Sequence, residues 1–290
     1  MDTLAEMRKD NVRGNPGEIV RLGVQLLQQR GARLGSEQWN VREQVFLAAL
    51  DTSQLGVCQS MLDELTLMFP SSQRVARLRG LLLEAQGLNK DAAAVYDKML
   101  AENANNTVAM KRKVCLLMST GHLESAITQL VKYLDVFQAD GEAWKVLAQL
   151  YIEAGNWKNA SFCLAEVILS NPHSYLGHLA YAESLYTLGG SPHKLLESRK
   201  YYCQSLTMKE GSSNLRALFG LVVATKAVSV FASSQSGSTK KKNDNNKMTD
   251  DEMRVNRDIS SKAVQLIEGA SYEKGMDELV QAAMKRLSCT

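Results

Sequence analysis

Residues Glu142–Pro172 read EAWKVLAQLYIEAGNWKNASFCLAEVILSNP. Two runs with apolar residues at helical spacing flank Gly155, and the second stops at Asn171-Pro172. Framing the stretch from Gly141 and stepping back by 34 residues gives ungapped copies from Thr107, Gln73 and Trp39. The fifteenth place of the four copies holds a turn-former: Ser53, Gly87, Gly121 and Gly155. The twentieth is always small, as Cys58, Ala92, Ala126 and Ala160. The twenty-fourth is large and apolar, as Leu62, Tyr96, Leu130 and Leu164. The thirty-second is proline in two copies, Pro70 and Pro172, where helix cannot continue.

This is the tetratricopeptide (TPR) period and pattern, fullest in the copy with Trp144, Leu147, Ala148, Tyr151, Gly155, Ala160 and Pro172. A first helix (A) spans about places two to fourteen, the turn residue reverses the chain, and a second helix (B) packs back through its small residue. The expected fold is all-α: a TPR α-solenoid, a right-handed superhelix of antiparallel helix pairs with a concave face lined by A helices. Expected boundaries are capping helices over 1–38, with Pro16 at a helix start, and an array over 39–232. Its repeats fall near 39–72, 73–106, 107–140, 141–174, 175–212 and 213–232. The fifth carries an insertion at Gly190-Ser191-Pro192, after which Ser198 and Tyr202 take the small and large places. Ser/Lys/Asn-rich residues 233–250 are expected to be a disordered polar loop, and 251–290 helices that close the last repeat.

A net charge of +3 is too small for a nucleic-acid footprint, and Lys240–Lys242 is a short run diluted by Asn and Asp. No apolar h-region follows the N-terminal methionine, so no secretory signal is expected. Residues 218–232, LFGLVVATKAVSVFA, fall short of the ~20 residues of a spanning helix, so no direct membrane span is expected. Five scattered cysteines without a C-x-x-C fit a reducing compartment.

Nothing in the chain carries recognisable chemistry. His122, His173, His178 and His193 have no zinc spacing, Cys58 sits at a buried small place, and no phosphate-loop or nucleophile-elbow motif occurs. The reading is no catalytic residue, no cofactor and no metal. Places expected to face the groove instead hold Arg74, Arg77, Lys111, Arg112 and Lys145, beside Leu78, Leu81, Val146 and Ile152. Such a stripe suits an acidic or carboxylate-ended partner segment, since arginine pairs carboxylates bidentately; long cationic stems covering helix surface explain it equally well. The carboxylate-clamp pattern of TPR co-chaperones is not met: the ninth places are Leu47, Leu81, Cys115 and Gln149. A co-chaperone or adaptor reading is therefore the runner-up.

Residues outside the TPR consensus carry a narrower resemblance. The runs Glu43-Gln44-Val45, Ala48–Asp51, Phe69-Pro70-Ser71, Phe162-Cys163-Leu164, Asn171-Pro172-His173, Tyr181-Ala182-Glu183, Gly189-Gly190, Ser198–Tyr201 and Arg216–Leu221 resemble subunit 2 of the endoplasmic-reticulum (ER) membrane protein complex. They cover most of Trp39–Leu221 in order; the chain before Trp39 and after about Val223 matches poorly. The resemblance implies a non-catalytic scaffold on the cytoplasmic side of the ER. It would hold cytosolic parts of membrane subunits 3 and 5 and bind the soluble subunit 8 or 9. The complex inserts transmembrane segments of tail-anchored and multipass clients.

Overall fold

A computed structural model of the 290-residue chain describes residues 15–209, 214–236, 249–269 and 276–289. The chain divides into two units, Met1–Tyr133 and Leu134–Thr290, and among the described residues every regular element is a helix. The first unit holds α1 (Pro16–Arg30), a 3-10 turn (Gly31–Leu34), α2 (Glu37–Asp51), α3 (Leu55–Met68), α4 (Gln73–Ala85), α5 (Asn89–Glu102) and α6 (Thr107–Ser119). The division falls inside α7 (Leu123–Val136). The second unit holds α8 (Gly141–Glu153), α9 (Trp157–Ser170), α10 (Tyr175–Leu188), α11 (Pro192–Met208), α12 (Leu215–Ser236), α13 (Asp250–Glu268) and α14 (Met276–Cys289).

The four copies fold in register. Every B helix, α3, α5, α7 and α9, begins at the seventeenth place and ends at the thirtieth. Between A and B the fifteenth residue is left-handed in each copy, with φ of 56° at Ser53, 76° at Gly87, 75° at Gly121 and 69° at Gly155. That conformation lets the next amide return to a carbonyl five residues earlier: Gln54 to Ala49, Leu88 to Leu83, His122 to Leu117 and Asn156 to Tyr151, all at 2.8–2.9 Å. These bonds satisfy carbonyls that a helix end leaves bare. Asn106, Asp140, Asn156 and Ser174 cap the starts of α6, α8, α9 and α10 by accepting from the amide three residues on.

Cys58, Ala92, Ala126 and Ala160 are fully buried, and Leu62, Tyr96, Leu130 and Leu164 are buried beside them. Within each unit a helix packs chiefly on its sequence neighbours, α2 on α3, α4 on α5 and α8 on α9, as in stacked repeats. Between α4 and α5 the approach is closest at Gly80: a Cβ there would meet the Tyr96 ring at 2.6 Å, so the aromatic ring lies against bare backbone. Gly220 of α12 lies against Tyr202 of α11 in the same way. In the fifth repeat Ser198 is buried, and its hydroxyl donates to the Ala182 carbonyl at 2.7 Å. Pro192 begins α11 behind an Ser191 cap.

Three expectations change. Proline is not what stops the B helices, since α5 and α7 end at the same place with Ala104 and Gln138 where the others have proline. The polar stretch from 233 starts as helix: α12 runs on to Ser236, and Ser233 donates to the Ser229 carbonyl at 2.9 Å. Residues 237–248 and 1–14 lie outside the described residues. The apolar helix is also longer than its apolar run. By length and composition Leu215–Ser233, at mean hydropathy 1.7, suffices to cross a membrane. Here it is a core helix of the second unit, burying Ala217, Leu218, Leu221, Val222, Ala224 and Val228 among α11 and α13.

Replacing Ala160 with leucine will overpack the α8–α9 contact and lower stability by about 1–3 kcal/mol in urea unfolding. Ser53→Gly will raise it, by roughly 0.5 kcal/mol, because relief of the left-handed strain outweighs the added freedom of the unfolded chain.

Candidate functional site

A groove of about 430 Å³ opens in the first unit between the A helices of three successive copies. Glu43 of α2 stands on one side, Gln73, Arg74 and Arg77 of α4 form the wall, and Asn106 and Val108 close it at the start of α6. Arg74 and Arg77 converge on Glu43, at 2.5 Å and 3.0 Å. Two guanidinium groups against one carboxylate leave the wall at net +1, and the buried Arg77 Nε has no partner. The cations are thus oriented by a helix A carboxylate of the preceding copy, which cuts the entropy lost on gripping a second anion.

One copy further along, the same logic closes more tightly. Arg112 of α6 forks onto both oxygens of Glu84 in α4, its Nε at 3.3 Å. The Tyr96 hydroxyl of α5 donates to the same carboxylate at 2.5 Å. Burial, then the bonded Glu84 carboxylate, push the Tyr96 phenol well above its ordinary range, so it stays a donor. Lys111 lies over the Tyr133 ring at 5.4 Å, a cation–π contact.

The sequence-derived stripe therefore divides. Arg74 and Arg77 line the groove; Arg112 is committed to Glu84, and Lys111 is exposed on the ring of Tyr133. Leu78 is a core residue, 1% exposed, and cannot face a groove: its place on α4 turns it toward α2 and α3, where the first core closes. Leu81 is partly buried against that core. In the second unit Lys145 pairs with Glu142 at 2.7 Å, while Val146 and Ile152 are half-buried. Sequence reasoning did not single out Glu43 or Glu84 as partners of the stripe. Glu43 and Arg77 occupy the same place of adjacent copies, and that opposite-charge spacing was the available signal.

Among the described residues no group of three or more His, Cys, Asp or Glu could hold a metal. Cys58, Cys115, Cys163 and Cys203 are free thiols; burial pushes Cys163 up to about 12, where a thiolate nucleophile does not form. His178 is buried, donating from Nε2 to the Pro172 carbonyl at 2.8 Å and stacking on Tyr201 at 5.7 Å.

Helix hairpins in a fixed frame, closed by left-handed turns and offering a charged groove between A helices, define a TPR-repeat protein. The C-terminal part of a TPR repeat-containing protein from Cytophaga hutchinsonii superposes with a TM-score of 0.60 at 13% identity, covering 95% of this chain and 98% of that one. Residues 59–194 match the EMC2 TPR-like repeat domain. ER membrane protein complex subunit 2-A of Xenopus laevis is 40% identical over 244 residues, 84% of this chain and 80% of the relative. TPR repeat protein oca3 of Schizosaccharomyces pombe is 36% identical over 200 residues, 68% of this chain and 70% of that protein. The chain belongs to the ER membrane protein complex subunit 2 family.

Glu84→Ala strands Arg112 and frees the Tyr96 hydroxyl in a half-buried site. It will cost roughly 1–3 kcal/mol, and Arg112→Ala on top will add little, which a double-mutant cycle in urea will show.

Proposed function

We propose that this chain is a non-catalytic scaffold subunit of the ER membrane protein complex, working at the cytosolic face of the ER. It holds cytosolic parts of membrane subunits 3 and 5 and binds the soluble subunit 8 or 9 on another face. The assembled complex can then insert transmembrane segments of tail-anchored and multipass clients. The relationship to subunit 2 across most of the chain carries this reading. The groove at Arg74 and Arg77 supports it, because a pre-ordered pair of cations suits an extended acidic segment of a partner. The stripe of the sequence reading enters this proposal as Arg74, Arg77 and Lys111, with Arg112 and Lys145 holding helix geometry and Leu81, Val146 and Ile152 supplying half-buried apolar edges.

A second reading, a co-chaperone or adaptor that takes a free partner peptide in the same groove, rests on that pair of arginines alone. The two part company in one experiment. Affinity purification of the tagged chain from detergent-solubilised membranes will recover several membrane subunits together, and Arg77→Glu with Lys111→Glu will reduce that recovery. Recovery of chaperones alone, or of the chain by itself, would reject the scaffold reading.

A further inference from the structure

Five arginines of the repeats are paired: Arg42 with Glu64, Arg74 and Arg77 with Glu43, Arg112 with Glu84, and Arg216 with Glu183. A second cleft, far along the chain, breaks that habit. It lies in the second unit between α12 and α13, about 460 Å³ in volume, and among the described residues no carboxylate lines it. Thr225, Lys226 and Ser229 line it from α12, and Asn256, Arg257 and Ser261 from α13. Neither Lys226 nor Arg257 has an ion-pair partner among the described residues; Arg257 reaches only its own helix, at the Met253 carbonyl 3.5 Å away.

Behind the cleft sits a further positive charge. Arg199 of α11 is 7% exposed, and its Nη1 donates to Asn256 Oδ1 at 2.9 Å. No carboxylate pairs with it among the described residues, and burial lowers its pKa. Glu252, one turn earlier on α13, is taken up by the Thr249 cap at 2.9 Å. Two cations, Lys226 and Arg257, therefore line the pocket; Arg199 lies behind Asn256 and feels the charge of Glu252, so it adds to the field of the cleft without touching its occupant. Asn256 spans the floor, donating to the Thr225 carbonyl at 2.8 Å and Ser229 Oγ at 3.1 Å.

The hydroxyls say what else the occupant offers. Thr225 donates to the Val222 carbonyl, Ser229 to Thr225 and Ser261 to Asp258, so their protons are spent on helix backbone. Thr225 is buried, but Ser261, and Ser229 beside its bond from Asn256, keep lone pairs for the cleft, which accept from hydroxyl donors. We propose that this cleft binds a polyhydroxylated phosphate ester, its phosphate between Lys226 and Arg257 and its hydroxyls donating to Ser229 and Ser261. A soluble inositol phosphate and an inositol-lipid headgroup share that chemistry.

Titration calorimetry of the full chain will show saturable binding of inositol monophosphate, weaker binding of inorganic phosphate and none of unphosphorylated inositol. Lys226→Gln and Arg257→Gln will each weaken the ester about tenfold, the loss of one charge-assisted hydrogen bond. Ser261→Ala will weaken the ester and leave inorganic phosphate unchanged. Helix content and urea midpoints will confirm that the variants fold. Flotation with phosphatidylcholine vesicles containing phosphatidylinositol phosphate, and not with plain ones, will assign the lipid source; binding of the free ester without flotation will assign the soluble one. No saturable binding of either form, or equal binding by the Lys226→Gln, Arg257→Gln double variant, would overturn the site. Inorganic phosphate binding as tightly as the ester would overturn the polyol assignment.

Discussion

In each of the four 34-residue copies the helical hairpin turns on one residue held at positive φ, followed by an amide that reaches back to the last turn of the helix it has just left. The bond ties helix end to turn, and the turn sets where helix B begins, always two residues later. With the start of B fixed, its fourth residue meets the A helix at closest approach. That is why the residue there is a cysteine or an alanine in every copy, and why each is wholly buried. Backbone geometry at one place in thirty-four thus dictates side-chain size five places on.

Most of this was open to inspection in the sequence, because both constraints act on residue type. Glycine marks a left-handed backbone and a small residue marks close helices, so Gly87, Gly121, Gly155 and the alanines declare the frame. Ser53 shows the limit: serine adopts the same conformation without advertising it. Helix ends were legible for a different reason than supposed. The residue after a B helix, as at Phe69, Asn103 and Asn171, leaves helical φ and ψ whether or not proline comes next.

The groove was half legible. Periodicity placed Arg74 and Arg77 on the A-helix face, but a repeat frame says which face a residue takes and little about what meets it there. Leu78 was assigned to the groove from its place in the frame, whereas the packing of the first core turns it inward. The carboxylates were invisible until distances were known: Glu43 holds two arginines and Glu84 one, and each joins one copy to the next. An acidic ligand must therefore compete with, or add to, a carboxylate already present, which favours a segment with several weak contacts over a single tight ion pair.

The ring of Tyr96 rests on the bare backbone of Gly80, and that of Tyr202 on Gly220. Within each couple the two positions cannot drift independently. Give the glycine a side chain and the aromatic has nowhere to lie; shrink the aromatic and a void opens beside a residue that nothing else fills. Each couple behaves as a single hereditary character with two addresses. In a library of variants its members should be tolerated jointly or not at all, leaving a signature of epistasis readable from survival counts alone.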